Sequence, residues 1–94
     1  MAIRVSLAGA TGWAGSALAR GIVAAPDLAL VSGVSRAQAG QVLGDVLDVP
    51  AATAQLFATA GEALAVGCDV FVEFTHPSTA KANVEAALRA GAHV

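Results

Sequence analysis

Gly9-Ala10-Thr11-Gly12-Trp13-Ala14-Gly15 spaces three glycines at intervals of three residues, G-x-x-G-x-x-G. The run follows an alternating apolar stretch, Ile3, Val5 and Leu7. It opens a helical pattern in which Gly15, Leu18, Ala19, Ile22 and Ala25 recur on one face. A glycine-rich junction between a strand and a helix is suited to phosphate. One glycine makes the tight turn, one lets the backbone approach a pyrophosphate closely, and one lets the helix pack on the sheet. The unpaired N–H groups and positive dipole end of the helix then face the phosphate oxygens. Glycines chosen only for packing would look alike in composition. Their place inside a strand–helix–strand unit is what favours a nucleotide.

The end of the next strand should meet the ribose. A site built for NADH usually places Asp or Glu there, about 20 residues beyond the glycines. Here the residues are Ser32-Gly33-Val34-Ser35-Arg36, with no acid. Arginine offers a planar fork of donors matched to a phosphate, so NADPH is expected to be preferred over NADH. The bland alternative is a solvated loop charge, the usual fate of a lone arginine. Phe74-Thr75-His76-Pro77 closes a third strand, beside the crevice where such sheets bind ligands. Taken by itself, a loop histidine before proline is commonly just solvated. Glu73 shares a strand face with Phe71 and is expected half-buried, accepting hydrogen bonds from nearby loop N–H groups. His93 has no sequence partner that would make it a ligand. The single cysteine, Cys68, excludes an internal disulfide framework and any multi-cysteine zinc site, and it reads as a small core hydrophobe.

The elements that must position these residues follow from changes in hydrophobic period. A first strand, the glycine turn and a helix stopped by Pro26-Asp27 are followed by a second apolar run, Leu28 to Val34. Residues 36–52, with Gly40, Gly44 and Pro50, read as a loop holding at most one helical turn. A brief strand is expected over Gln55 to Ala58. Thr59-Ala60-Gly61-Glu62 is a capping box, placing a short helix over Gly61 to Val66. Asp69 to Phe74 is the clearest strand, with β-branched and aromatic residues. Pro77 opens a helix with Ala80, Val84, Ala87 and Leu88 on one face, a Glu85–Arg89 pair, and Gly91 as its C′ residue. Ala92-His93-Val94 then begins another apolar run. The alternation implies an α/β fold, a Rossmann-type parallel sheet with helices on both faces, truncated in its fourth main strand.

The 94 residues are 56% apolar and 13% charged, which excludes a disordered chain and sets one core. A net charge of −2 with no block of either sign argues against nucleic acid or a membrane surface as partner. No stretch reaches the roughly 18 uncharged apolar residues of a membrane span. Val5 to Ala19, between Arg4 and an Ala17-Leu18-Ala19 end, has the outline of a secretion leader. Gly9, Gly12 and Gly15 interrupt its apolar run, so a cytoplasmic protein is expected.

Taken together, these residues resemble 4-hydroxy-tetrahydrodipicolinate reductase (dihydrodipicolinate reductase), of lysine and diaminopimelate biosynthesis. The likeness runs from Ile3-Arg4-Val5 and the glycine turn through Val34-Ser35-Arg36 and Leu43-Gly44. Its most specific part is Asp69-Val70-Phe71-Val72-Glu73-Phe74-Thr75-His76-Pro77, similar to the family's D-V-x-I-D-F-T-x-P stretch. The glycine turn alone is weaker, because semialdehyde dehydrogenases and nucleotide-sugar epimerases also carry G-A-T-G.

The resemblance implies that residues 1–94 are the amino-terminal NAD(P)-binding domain. Gly9 to Ala14 would wrap the pyrophosphate, with Gly15 behind them. Ser35 and Arg36 would meet the adenosine ribose and its 2′-phosphate, and Phe74, Thr75 and His76 would border the nicotinamide side. Trp13-Ala14 stands where many members have Arg-Met, so Trp13 would stack or pack instead. Glu73 replaces the commoner Asp. The resemblance further implies that the domain holding the small dicarboxylate substrate, the catalytic residues and the contacts of a homotetramer lies outside this chain. No metal is implied. Two other readings remain open on the residues: the amino-terminal half of a semialdehyde dehydrogenase or epimerase, and a stand-alone NADP-binding module without catalysis.

Overall fold

A computed structural model describes residues 2–94. Strands β1 (Ile3–Ala8), β2 (Leu28–Val34), β3 (Gln55–Phe57) and β4 (Val70–Glu73) form one sheet in the order β3-β2-β1-β4, all parallel. Helices α1 (Trp13–Ala24), α2 (Leu43–Leu47), α3 (Ala60–Leu64) and α4 (Pro77–Arg89) complete the chain. This is the Rossmann-type arrangement expected from the alternating pattern. Adjacent residues of β1 point to opposite faces, and two core clusters follow. Leu7 packs with Ala10, Ala19, Leu43, Ala52 and Leu56, beneath α1 and α2. Ala8 packs with Val34, Ala60, Ala63, Phe71, Ala87 and Ala92, beneath α3 and α4. Helices therefore cover both faces, and alanines are the commonest buried residue in the two clusters.

The register between β1 and β2 is interrupted once. Val5 pairs with Leu30 but Ser6 pairs with Ser32, so Val31 is an extra residue in β2. Beyond this bulge Ser6 and Ser32 face each other in the interior. The Ser32 hydroxyl donates to Ser6 Oγ at 2.7 Å and lies 3.2 Å from the carbonyl of Ala63 in α3. Two buried hydroxyls are thus satisfied by each other and by a helix end.

Most element boundaries agree with the sequence reading to within two residues. The loop at 36–52 does hold one short helix, α2, whose carboxyl end receives the Arg20 guanidinium on the Leu47 carbonyl at 3.1 Å. Thr59 caps α3 as expected, accepting from the Glu62 N–H at 3.2 Å, and the helix begins one residue earlier than expected, at Ala60. Gly91, at φ 86°, terminates α4 as its C′ residue. Glu85 lies between Lys81 and Arg89, at 3.9 and 3.8 Å.

Leu88 departs from its expected place with Ala80, Val84 and Ala87: it is 60% exposed while Ala87 is fully buried. At about 100° per residue, Leu88 lies about 80° around the helix from Ala80. The close contact of α4 with the sheet reaches only the narrower alanine stripe. Among the described residues no helix is long and apolar enough to cross a membrane.

Candidate functional site

The carboxyl ends of β1, β2 and β4 converge on a cleft of about 570 Å³. Its floor is Gly9 and Thr11 from the glycine turn. Val34, Ser35, Arg36 and Ala37 form the β2 side, Ala58, Thr59 and Ala60 the β3–α3 side, and Thr75, His76, Ser78, Thr79 and Asn83 the α4 side.

The turn is built from backbone contacts that exclude side chains. Gly9 has φ 81°, and a Cβ there would lie 2.3 Å from the Phe74 carbonyl oxygen at the end of β4. A Cβ on Gly15 would lie 1.9 Å from the Gly9 carbonyl oxygen, so α1 starts in direct contact with the turn. Gly9 and Ala10 N–H both point to the Val34 carbonyl, at 2.9 and 3.4 Å, and Gly12 N–H bonds the Gly9 carbonyl at 3.0 Å. Ala10 is therefore a core residue with its side chain fully buried. The N–H groups of Trp13, Ala14 and Gly15 begin α1 and have no partner among the described residues. No acidic residue occupies that first turn and no side chain caps it. These donors and the positive end of the helix are free for an anion.

Thr11 and Ser35 join the two strand ends through a hydroxyl–hydroxyl contact of 2.8 Å. Ser35 is buried, and its N–H bonds the Phe57 carbonyl at 2.9 Å. Arg36, the next residue, is exposed at the cleft and makes no hydrogen bond or ion pair among the described residues.

The β4 end differs in kind. Glu73 Oε1 accepts from the Thr75 N–H at 2.8 Å and from the Thr75 hydroxyl, as expected for a half-buried loop acceptor. Glu73 Oε2 is buried without a partner. His76 is the N-cap of α4: its Nδ1 accepts from Ser78 N–H at 3.2 Å and lies 2.9 Å from Ser78 Oγ. Accepting at Nδ1 leaves the proton of the neutral ring on Nε2, away from the helix. Pro77 has no N–H and Ser78 spends its own on His76. The start of α4 thus offers fewer free donors than the start of α1.

Of the residues singled out from sequence, Gly9, Thr11, Ser35, Arg36, Thr75 and His76 line one cleft. Gly12, Trp13, Ala14 and Gly15 lie at the adjoining helix start. Phe74 is 51% exposed at the β4 end. Trp13 does not pack: it is 95% exposed, because at the first helical position its side chain meets no neighbouring element. Sequence reasoning missed Ala58, Thr59, Ala60, Ser78, Thr79 and Asn83. Thr59 carried a signal as a capping residue, but helical patterning carried none for a polar α4 flank facing the cleft.

A family model described as dihydrodipicolinate reductase, N-terminus, matches residues 3–94. The chain is similar to a 4-hydroxy-tetrahydrodipicolinate reductase of Corynebacterium diphtheriae, 36% identical over 93 residues. That alignment covers 99% of this chain and 29% of that protein's length. Among solved structures, scyllo-inositol dehydrogenase of Lactobacillus casei with bound NAD(H) and scyllo-inositol superposes at a TM-score of 0.82 and 19% identity, over 100% of this chain and 27% of that one. Aspartate semialdehyde dehydrogenase of Candida albicans with NADP gives 0.81 at 17%, over 98% and 28%. The dipicolinate-bound dihydrodipicolinate reductase of Paenisporosarcina sp. TG-14 gives 0.76 at 19%, over 98% and 36%. These structural likenesses establish the fold.

Proposed function

Because this chain belongs to the dihydrodipicolinate reductase N-terminal family, we propose that it binds and orients a nicotinamide dinucleotide, with NADPH preferred over NADH. Gly9, Gly12 and the free N–H groups of Trp13, Ala14 and Gly15 receive the pyrophosphate. Ser35 and Arg36 receive the adenosine ribose with its 2′-phosphate. Phe74 borders the nicotinamide side; Thr75 and His76, expected there with it from the sequence, line the same cleft as Arg36 and are assigned instead to the adenosine half. The observation that carries this reading is the 2.8 Å Thr11–Ser35 contact, which holds an unpaired Arg36 beside the α1 turn.

The residues present fit the cofactor: Gly9 and Gly15 form a cradle that any Cβ would fill, next to a helix start with neither cap nor acid. When bound, the dinucleotide supplies a hydride. This chain's own residues bind it, orient it and present one face of the ring. In the whole protein the hydride, with a proton, reduces a cyclic dicarboxylate to tetrahydrodipicolinate in lysine and diaminopimelate biosynthesis, in the cytoplasm. The residues that bind this substrate, supply the proton and assemble a homotetramer belong to the part beyond the 29% matched here. Residues 1–94 alone are expected to bind cofactor without turnover.

Calorimetric titration with NADPH and NADH tests the cofactor assignment. Arg36→Ala is expected to weaken NADPH by about ten- to a hundredfold, the worth of charge-assisted hydrogen bonds, and to leave NADH nearly unchanged. Equal losses for both would overturn the role of Arg36. Absence of binding to the unaltered chain would overturn the dinucleotide reading itself.

A further inference from the structure

One polar chain in the cleft has a fixed direction. Glu73, as a carboxylate, can only accept, and it takes the Thr75 hydroxyl proton on Oε1. With its proton committed, Thr75 Oγ1 must act as acceptor toward its other neighbours. Those are Thr79 Oγ1 at 3.0 Å and Asn83 Nδ2 at 3.5 Å. Thr79 is also 3.0 Å from the His76 carbonyl, so its single proton is shared between two acceptors. Asn83 must then turn its NH₂ group toward Thr75, since its carbonyl oxygen would meet an acceptor there. Glu73 and Thr75, both outside α4, therefore orient its amide. Its Oδ1, and the N–H not used on Thr75, are left to the cleft that Asn83 lines.

The position of that amide matters because of what stands opposite. Ala58 and Ala60, with Thr59 between them, line the β3–α3 side of the same cleft with mainly small apolar side chains. A ribose held at Ser35 and Arg36 would send its base between this wall and the α4 flank. A flat base with an amino group beside a ring nitrogen matches the donor–acceptor pair that asparagine presents, the pairing by which it reads adenine generally.

We propose that Asn83 is the residue that selects adenine, its Oδ1 accepting from the 6-amino group, with Glu73 and Thr75 as positioning residues that fix the amide. This rests on the dinucleotide reading above and adds the base specificity of that site. The test compares NADH with reduced nicotinamide hypoxanthine dinucleotide, which carries a carbonyl in place of the 6-amino group, by titration of the full chain. The unaltered protein is expected to bind NADH about tenfold more tightly, the worth of one hydrogen bond exchanged for two facing acceptors. Asn83→Leu and Asn83→Ala should bring the ratio close to one, the loss falling on NADH. Glu73→Gln should lower the ratio too, because glutamine can also donate and so frees the amide to turn. Circular dichroism before titration checks that each variant is folded. A ratio near one in the unaltered protein, or a tenfold ratio that survives both Asn83 variants, would overturn the proposal. Binding of neither dinucleotide would instead remove the reading on which it stands.

Discussion

Cys68 lies half-buried just before β4, beside Arg4 and Ser6 of β1, and packs against the Phe71 cluster. Burial pushes its thiol above the usual range, the neighbouring Asp69 carboxylate adds to this, and the Arg4 guanidinium and a hydrogen bond from the Ser6 backbone offset part of it. Because the thiolate is the nucleophile, a raised value leaves less of it at neutral pH. Alkylation by iodoacetamide at pH 7.5 should therefore be slower than that of a free cysteine peptide. The difference should narrow only as pH rises above the ordinary thiol range. Faster labelling, followed by mass, would contradict the burial. At the same scale, His76 and Thr59 combine two duties, since each caps a helix while lining the cleft. Trp13 has none within the chain and stands free at the amino-terminal end of α1.

Helix α1 shows how one residue type has opposite meanings along an element. Replacing glycine by alanine in a helix interior ordinarily stabilises by about 1 kcal/mol. At Gly21 a Cβ would meet nothing within 4 Å, so Gly21→Ala should raise the melting temperature by a few degrees. At Gly15 the new Cβ would sit 1.9 Å from a backbone oxygen, and overpacking costs about 1–3 kcal/mol or more. Sterics win there, and Gly15→Ala should lower the melting temperature by about 5 °C or more. Thermal denaturation of the pair checks both signs; a Gly15→Ala variant as stable as Gly21→Ala would refute the close contact. The glycine turn, Arg36 at the end of β2 and the Thr59 cap were legible in sequence because each signal is local, whereas the capping of α4 by His76 was not foreseen. The cleft walls were not. Thr79 and Asn83 approach Ala58 and Ala60 only through folding, and nothing in the α4 pattern marks that flank. Leu88 was misjudged because hydrophobicity was counted where the width of the contact decided burial.

At the scale of the molecule, the two clusters are built mostly from alanine, with Leu7, Leu43, Leu56 and Phe71 as the only large apolar side chains fully buried among the described residues. A small chain with so slight a core has little stability in reserve. A ligand that binds only the folded state should then have a large effect. NADPH at a hundred times its dissociation constant contributes about 2.7 kcal/mol, and the melting temperature should rise by about 10 °C or more. Arg36→Ala should lose about half of that shift or more at the same NADPH concentration. An unchanged melting curve at saturating NADPH would argue against binding to the folded chain.

The extra residue Val31 has a geometric consequence of its own. With Ser6 aligned on Ser32, the upper half of β2 runs one position ahead of where the Val5–Leu30 pairing would carry it. Val34 rather than Gly33 therefore comes level with Ala8, and its carbonyl receives the N–H groups of Gly9 and Ala10. A ladder running on regularly from Val5–Leu30, with Val31 paired to Ser6, would displace the end of β2 by about 3.3 Å along the strand and turn its side chains over. The gap between the glycine turn and Arg36 is thus gauged by a spacer in the middle of the sheet, and two hidden hydroxyls keep that gauge from slipping.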